Sequence, residues 1–402
     1  RQGGPGPFQG PSSYPQLCWW SLIPGDNYSH EEAAGPLFRF VSGLSVRLNL
    51  GSAQLIVKKR RFWIMEILHY TQAHIRFRQR LQRFCKEEII PHIDQWEKSG
   101  LVPREVWRKT GREGFLCTGI SPEYGGLGGD FIFSVIALEE MTRTNHYGLD
   151  AFLHSDIVVP YIDSFGSDEQ KYKYLPGCVC GDIITAVAMT EPDTGSDLSA
   201  MATTAIEEDD VVIINGVKTF ISNGVNCNLV VIAAKDPTIE NPYRAISLYL
   251  VEEGTPGFKK GAPLQKLGVH SQDTAELFFS NCRVPKENRL GEKGTGFMIL
   301  MEKLQQERLL VAILANTMAA FALDWTIESL RTQKTSNGSG QLSQSVRFAL
   351  VEMSTEIKLG RTFLEKLISD HMEGRDIVSE TSMAKFWNTE MANRVVGGCL
   401  EL

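Results

Sequence analysis

The texture of this chain changes twice along its length, and that order constrains the fold more than any single motif. Between residues 186 and 290 the sequence breaks into short β-branched or aromatic runs at 211–214, 229–234, 245–251 and 275–279. Asn215-Gly216, Asn223-Gly224 and Pro256-Gly257 fall between them. Turn-forming pairs at this spacing predict a compact antiparallel β domain. On both sides the period is helical. Phe77, Leu81, Phe84 and Ile89 mark one face of a helix that begins near Thr71 and ends near Pro91. Further helical patterns cover 103–114, 133–142 and 167–174, and three long ones cover 296–331, 341–372 and 379–402. The expected class is therefore an α+β multidomain protein. Its boundaries are a disordered or targeting segment over 1–62, a helical domain over 63–185, the β domain over 186–290 and a helical bundle over 291–402.

The leading segment divides in two. Residues 1–35 are rich in Gly, Pro and Ser without a period, which predicts disorder. Residues 36–62 carry Arg39, Arg47, Lys58, Lys59, Arg60 and Arg61 with no acid among them, a composition that suits a mitochondrial targeting segment or a basic surface stretch. The formal net charge of −7 argues against a nucleic-acid or anionic-membrane partner. No apolar run approaches the roughly 18 residues that a transmembrane helix requires, so no transmembrane segment is expected. The eight cysteines form no CxxC pair, and the eight histidines show no metal-ligand spacing. Free thiols in a reducing compartment and no metal are expected.

Gly125-Gly126-Leu127-Gly128-Gly129-Asp130 lacks the third glycine and the preceding strand of a dinucleotide fingerprint, so it reads as a surface loop. Met189-Thr190-Glu191-Pro192-Asp193-Thr194-Gly195-Ser196-Asp197 is more specific. Pro192 and Gly195 force a turn straight after an apolar strand and bring backbone N–H groups and two hydroxyls together, a nest of donors suited to an anion or a flavin edge. A plain hairpin turn with incidental hydroxyls is the alternative.

Glu307 stands out for its surroundings. It falls within a stripe of Leu300, Leu304, Val311 and Leu314 at helical spacing. A carboxylate among apolar neighbours is costly unless it is paired or functional. Desolvation would raise its pKa into the range useful to a general base. Pairing with Arg308, or a place at the bundle edge, is the alternative.

The turn at 189–197, then Phe220-Ile221-Ser222-Asn223-Gly224, Lys266-Leu267-Gly268 and Gln305-Gln306-Glu307-Arg308-Leu309-Leu310, in that order, resemble the acyl-CoA dehydrogenase family. Residues 88–107 and 305–310 look most like its long-chain members, and the likeness covers about 67–402. The resemblance implies a helical domain, a central β domain and a C-terminal four-helix bundle, with FAD between the last two. It implies flavin contacts at Val187, Ala188, Met189, Thr190, Glu191, Gly195, Ser196, Phe220, Ile221, Ser222 and Gln344. It implies acyl-CoA contacts at Ser196, Asn228, Leu229, Met298, Gln305, Gln306 and Arg308, with Met298 standing where the family has an aromatic. Glu307 matches the base of the long-chain and isovaleryl types.

The implied reaction is α,β-dehydrogenation of a long-chain fatty acyl-CoA in mitochondrial β-oxidation, with electrons passed to an electron-transfer flavoprotein by a homo-oligomer, tetrameric in the family. Two departures accompany it. Gln333, Ser336 and Asn337 replace the family's R-x-x-F-G, which weakens the expected FAD grip, and the sequence ends at Leu402 before the family's last flavin contacts, so the bundle is expected to lack its final part. The alternative implied is a catalytically silent relative that binds acyl-CoA or partner subunits.

Overall fold

The computed structural model describes residues 67–332 and 342–402. The expectations for 1–62, for Gln333, Ser336 and Asn337, and for a helix start at 341 lie outside the described residues. The helical part opens with α1 (Gln72–Phe84). Thr71 caps it: its hydroxyl accepts from His74 N–H at 3.3 Å, and its own N–H donates to His74 Nδ1 at 3.1 Å. Phe77, Leu81 and Phe84 are buried on the anticipated face. Then follow α2 (Ile93–Ser99), α3 (Arg104–Arg112) and α4 (Phe131–Thr142), the last capped by Asp130 at the end of the glycine-rich loop. A π-helical turn (Leu153–Val158) leads into α5 (Val159–Phe165), and α6 (Asp168–Cys180) starts at a Ser167–Gln170 capping box.

The centre is one eight-stranded sheet of β1 (Thr185–Ala188), β2 (Thr204–Glu208), β3 (Val211–Ser222), β4 (Leu229–Lys235), β5 (Ile246–Glu252), β6 (Phe258–Pro263), β7 (Thr274–Pro285) and β8 (Arg289–Leu290). The short helix α7 (Pro242–Ala245) precedes β5. The order is β6-β7-β3-β2-β4-β5-β8, with β1 attached to β4. The sheet is mixed rather than wholly antiparallel, because β1 pairs β4 in parallel, Thr185 opposite Leu229. Parallel pairing needs a crossover that strand patterns do not reveal. Residues 229–234 are buried throughout, as a core strand should be.

Asn215-Gly216 corrects a sequence expectation. It is not a turn but an irregularity inside the twelve-residue β3, where the register against β7 shifts between Ile214 and Gly216. Asn215 Oδ1 accepts the Asn281 N–H of β7 at 2.7 Å, and a Cβ on Gly216 would stand 2.3 Å from Thr203 Oγ1. The glycine is there for close approach, not for reversal. Asn223-Gly224 and Pro256-Gly257 do turn, with φ of +59° at Asn223 and +88° at Gly257.

The C-terminal part comprises α8 (Gly296–Thr332), α9 (Gln344–Met372) and α10 (Val378–Glu401). By length and composition α8 could cross a membrane, with a mean hydropathy of 1.6 over an 18-residue window, half of it buried. Asn316, Thr317 and Asp324 interrupt its apolar run, so no unbroken stretch of sequence singles it out. Its apolar surface packs against α4, α5, α9, α10 and β5. Being apolar nearly all round, α8 has two stripes. Leu309, Leu310, Ala312, Ile313 and Thr317 are buried in the core, whereas Leu304, Glu307, Val311 and Leu314 are half-buried. Glu307 thus sits on the half-buried stripe.

Candidate active site

Two structures define the site: the turn after β1, and the half-buried stripe of α8. The turn is closed by reciprocal bonds between Glu191 and Thr194, with N···O distances of 2.8 and 3.1 Å. Its carboxylate points inward. Glu191 is 4% exposed and accepts from Lys218 Nζ at 2.8 Å, Thr203 N–H at 2.9 Å and Ala202 N–H at 2.6 Å. Lys218, fully buried on β3, also donates to the Met189 carbonyl at 3.0 Å. Burial pushes the lysine down to about 8 against the pull of Glu191. Burial pushes Glu191 up, but Lys218 and the two backbone donors hold it below its ordinary value. The 2.8 Å contact pairs them, and together they brace the turn from behind.

The next residues on β3 face the other way. Thr219 N–H donates to the Thr190 carbonyl at 2.9 Å, and Phe220 then enters the left-handed region at φ +56° with its ring 68% exposed. A second register shift in β3, between Lys218 and Ile221, makes room for this. Strained backbone conformations of this kind cluster at ligand sites. Phe220, Ser222, Thr190, Met189 and Val187, with Gly195 and Ser196 at the turn, are half-buried or exposed, while the side chains of Ala188, Glu191 and Ile221 are buried. A flat aromatic ring with hydrogen-bonding edges fits this combination of exposed phenyl, hydroxyls and turn amides.

On α8, Glu307 Oε1 accepts a hydrogen bond from Tyr161 on α5 at 2.8 Å. Burial raises the Glu307 pKa, opposed by the Tyr161 hydrogen bond and the charge of Arg308. Arg308 does not pair with it, because its guanidinium reaches Ser382 on α10 at 3.2 Å. Gln306 Nε2 donates to the Asp156 carbonyl at 2.6 Å, Gln305 is half-buried, and Met298 is 72% exposed. Tyr161 and Lys218 were both missed in the sequence. Tyr161 lies 146 residues from its partner in an apolar stretch, and no spacing rule reports such a contact.

The π-helical turn joins the two halves. His154 Nδ1 accepts the Thr185 N–H of β1 at 3.2 Å and faces the Thr185 hydroxyl at 2.8 Å, so Nε2 carries the proton and donates to the Cys178 carbonyl at 3.0 Å. Burial lowers this imidazole to about 4, which keeps it neutral. A π-helical segment at such a junction is a frequent mark of a functional site.

Some expected contacts lie apart from this group. Asn228 Oδ1 accepts the Ile184 N–H at 2.6 Å, its Nδ2 donates to the Asp182 carbonyl at 3.2 Å, and Leu229 is 1% exposed. Both stand at the start of β1, about 16 Å from Thr190 at 3.3 Å per residue. Gln344 is exposed at the first turn of α9. Gln344 lies 13 residues before Ile357 on the returning α9, about 20 Å at 1.5 Å per residue, and Glu307 lies on the other side of Asn316 along α8. Asn316, which bonds the Ile357 carbonyl at 3.1 Å, marks where α9 comes back along α8. Within one chain Gln344 and Glu307 do not share a site. Among the described residues no group of three or more His, Cys, Asp or Glu could hold a metal ion.

A helical domain, a mixed sheet and a helical bundle are the three parts that the sequence resemblance implies. Comparison with known proteins agrees. Residues 71–182, 186–282 and 294–402 match the N-terminal, middle and C-terminal domains of acyl-CoA dehydrogenase. The chain belongs to the acyl-CoA dehydrogenase family. It is 40% identical to the mouse mitochondrial long-chain specific acyl-CoA dehydrogenase over 90% of this chain and 83% of that protein. It is 31% identical to the rat mitochondrial short-chain specific acyl-CoA dehydrogenase over 84% and 82%. The crystal structure of an acyl-CoA dehydrogenase from Geobacillus kaustophilus superposes with a TM-score of 0.81 at 49% identity, covering 83% of this chain and 88% of that one. The family's members are FAD-dependent oxidoreductases acting on the CH–CH group of acyl-CoA.

Proposed function

We propose that this chain dehydrogenates long-chain fatty acyl-CoA to the trans-2-enoyl-CoA, with Glu307 as the base. The observation that carries the reading is a carboxylate raised by burial on the half-buried stripe of α8, hydrogen-bonded at one oxygen to Tyr161. Glu307 takes the proton from the α-carbon, and the β-carbon loses a hydride, so that a C=C bond forms between the two. FAD supplies the hydride acceptor. A carboxylate alone is a weak base toward a carbon acid, so the thioester carbonyl must be hydrogen-bonded as negative charge develops on it. Phe220, Ser222 and Thr190 present the surface on which the flavin would lie, and the Lys218–Glu191 pair holds that surface in place.

Long chains are favoured by the 40% identity to the mouse long-chain enzyme against 31% to the rat short-chain one. The same relatives support mitochondrial β-oxidation as the setting and an electron-transfer flavoprotein as acceptor. A homo-oligomer belongs to the reading as well. Phe348, Val351 and Leu359 on α9 and Met383 and Phe386 on α10 are each 59–67% exposed, an apolar surface of the kind that partner subunits cover. In such an assembly the Gln344 of one chain would serve the flavin of its neighbour.

The test is Glu307→Gln in FAD-loaded protein. Dehydrogenation of palmitoyl-CoA should fall by at least about 10³-fold, in keeping with loss of a general base, while the bound flavin absorbance persists. Retained turnover would refute the assignment.

A further inference from the structure

Glu307 is not the only side chain of its helix turn that is anchored. Lys303 Nζ donates to Ser164 Oγ at 2.7 Å, Gln306 to the Asp156 carbonyl at 2.6 Å, and Glu307 receives the Tyr161 hydroxyl at 2.8 Å. These three residues of α8, at i, i+3 and i+4, share one face and all meet the segment 156–164. That segment is tied at its other end to β1 through His154 and Thr185. One continuous piece of chain therefore spans from the strand that enters the flavin turn to the carboxylate.

We infer that Tyr161 is a positioning residue that holds Glu307 by Oε1 and leaves Oε2 as the oxygen that takes the substrate proton. Among the described residues Oε2 has no protein donor, whereas Oε1 has Tyr161. Tyr161 is fully buried and its own pKa is raised by burial and by Glu307, so it keeps its proton and acts only as a donor. The α-proton of the substrate ends on Oε2 and no proton leaves the tyrosine. A carboxylate without this hold would rotate, and a near-attack geometry would be one of several. The hydrogen bond also favours the charged carboxylate, so it moderates the rise that burial causes. Other charged or titratable groups near this turn are Arg308, Lys303 and Glu302 on α8, Asp156 on the π-helical turn, Asp163 on α5 and His371 on α9. Of these, Arg308 acts on the carboxylate together with Tyr161.

The inference rests on Glu307 being the base, and the experiment separates the two. In the FAD-loaded enzyme, Tyr161→Phe should lower kcat about 10-fold or more and leave KM for the acyl-CoA within about twofold, since the contact is to the enzyme's own carboxylate. The acidic limb of the kcat–pH profile should move up by about one to two units, the amount a hydrogen bond to a charged group supports. A second readout needs no turnover: pH-difference infrared spectra, with the Glu307 band identified by its loss in Glu307→Gln, should show the same displacement. Where Tyr161→Phe does not fold, 3-fluorotyrosine at position 161 keeps the shape, strengthens the donor and should move the limb down. Glu307→Gln inactive with an unmoved limb and band in the Tyr161 variants overturns the positioning role alone. Glu307→Gln fully active overturns the base, and the positioning role with it.

Discussion

Replacing Lys218 with Met tests whether the buried ion pair holds the turn after β1 or merely fills space. The two residues are 0% and 4% exposed, and their charges lie 2.8 Å apart. At an effective dielectric of about 20, Coulomb attraction across that distance is about 6 kcal/mol, opposed by the desolvation of both groups. Removing the lysine leaves Glu191 with the Ala202 and Thr203 amides as its remaining donors and strips the Met189 carbonyl of one. Breaking a buried pair from one side costs about 3–5 kcal/mol.

The pH dependence has a definite sign. Glu191 is held below its ordinary value in the folded protein, so its contribution is present above the unfolded carboxylate pKa and is lost as pH falls through the lowered folded value. In Lys218→Met that depression disappears, burial raises Glu191, and the variant should lose more stability at pH 7 than at pH 4. The assay is urea unfolding followed by far-UV circular dichroism at both pH values, with flavin retention after gel filtration measured in parallel. Adding Glu191→Gln to Lys218→Met should recover at least about half of the loss, because a neutral amide strands no charge. A loss below about 1 kcal/mol at pH 7, the size of an exposed pair, would refute the reasoning.

Two further outcomes follow from backbone and packing. Phe220→Gly removes an L-residue from φ +56° and should stabilise the flavin-free protein by about 1 kcal/mol in urea unfolding while abolishing flavin retention; a destabilised variant would mean that the exposed ring packs. Gly360→Ala sets a gain of about 1 kcal/mol in helix propensity against overpacking of about 1–3 and loss of a hydrogen bond worth about 1. The new Cβ would stand 2.4 Å from Asn388 Oδ1 and 2.7 Å from Asn316 Nδ2, so a net loss is expected in thermal unfolding, and a gain would refute the packing reading.

Sequence patterns carried the architecture because helices and strands are local. The Thr71 and Ser167 caps, the buried face of α1, the all-buried β4 and the order of helical, β and helical parts follow from spacing and capping chemistry. Glu307 was legible for the same reason, as a carboxylate in an apolar stripe, of which Leu300 is fully buried and Leu304, Val311 and Leu314 are half-buried. Where one residue pattern serves two geometries, the sequence misled. Asn215-Gly216 has the composition of a hairpin turn, yet it lies inside a strand because Thr203 and Asn281 approach it from elsewhere in the chain.

What the amino-acid order determined, then, is which segments are helix or strand and which residue types could perform acid–base chemistry. Tertiary structure alone decided that β1 lies parallel to β4, that Glu191 spends its charge on Lys218, and that Tyr161 meets Glu307. It also decided that Asn228 and Leu229 stand at the Thr185 end of β1 and that Gln344 stands near the last turns of α8, away from Glu307. The reason is range. Caps, turns and amphipathic faces are set within a few residues, whereas the partner of a buried polar group is whichever donor the packed elements bring within 3 Å of it.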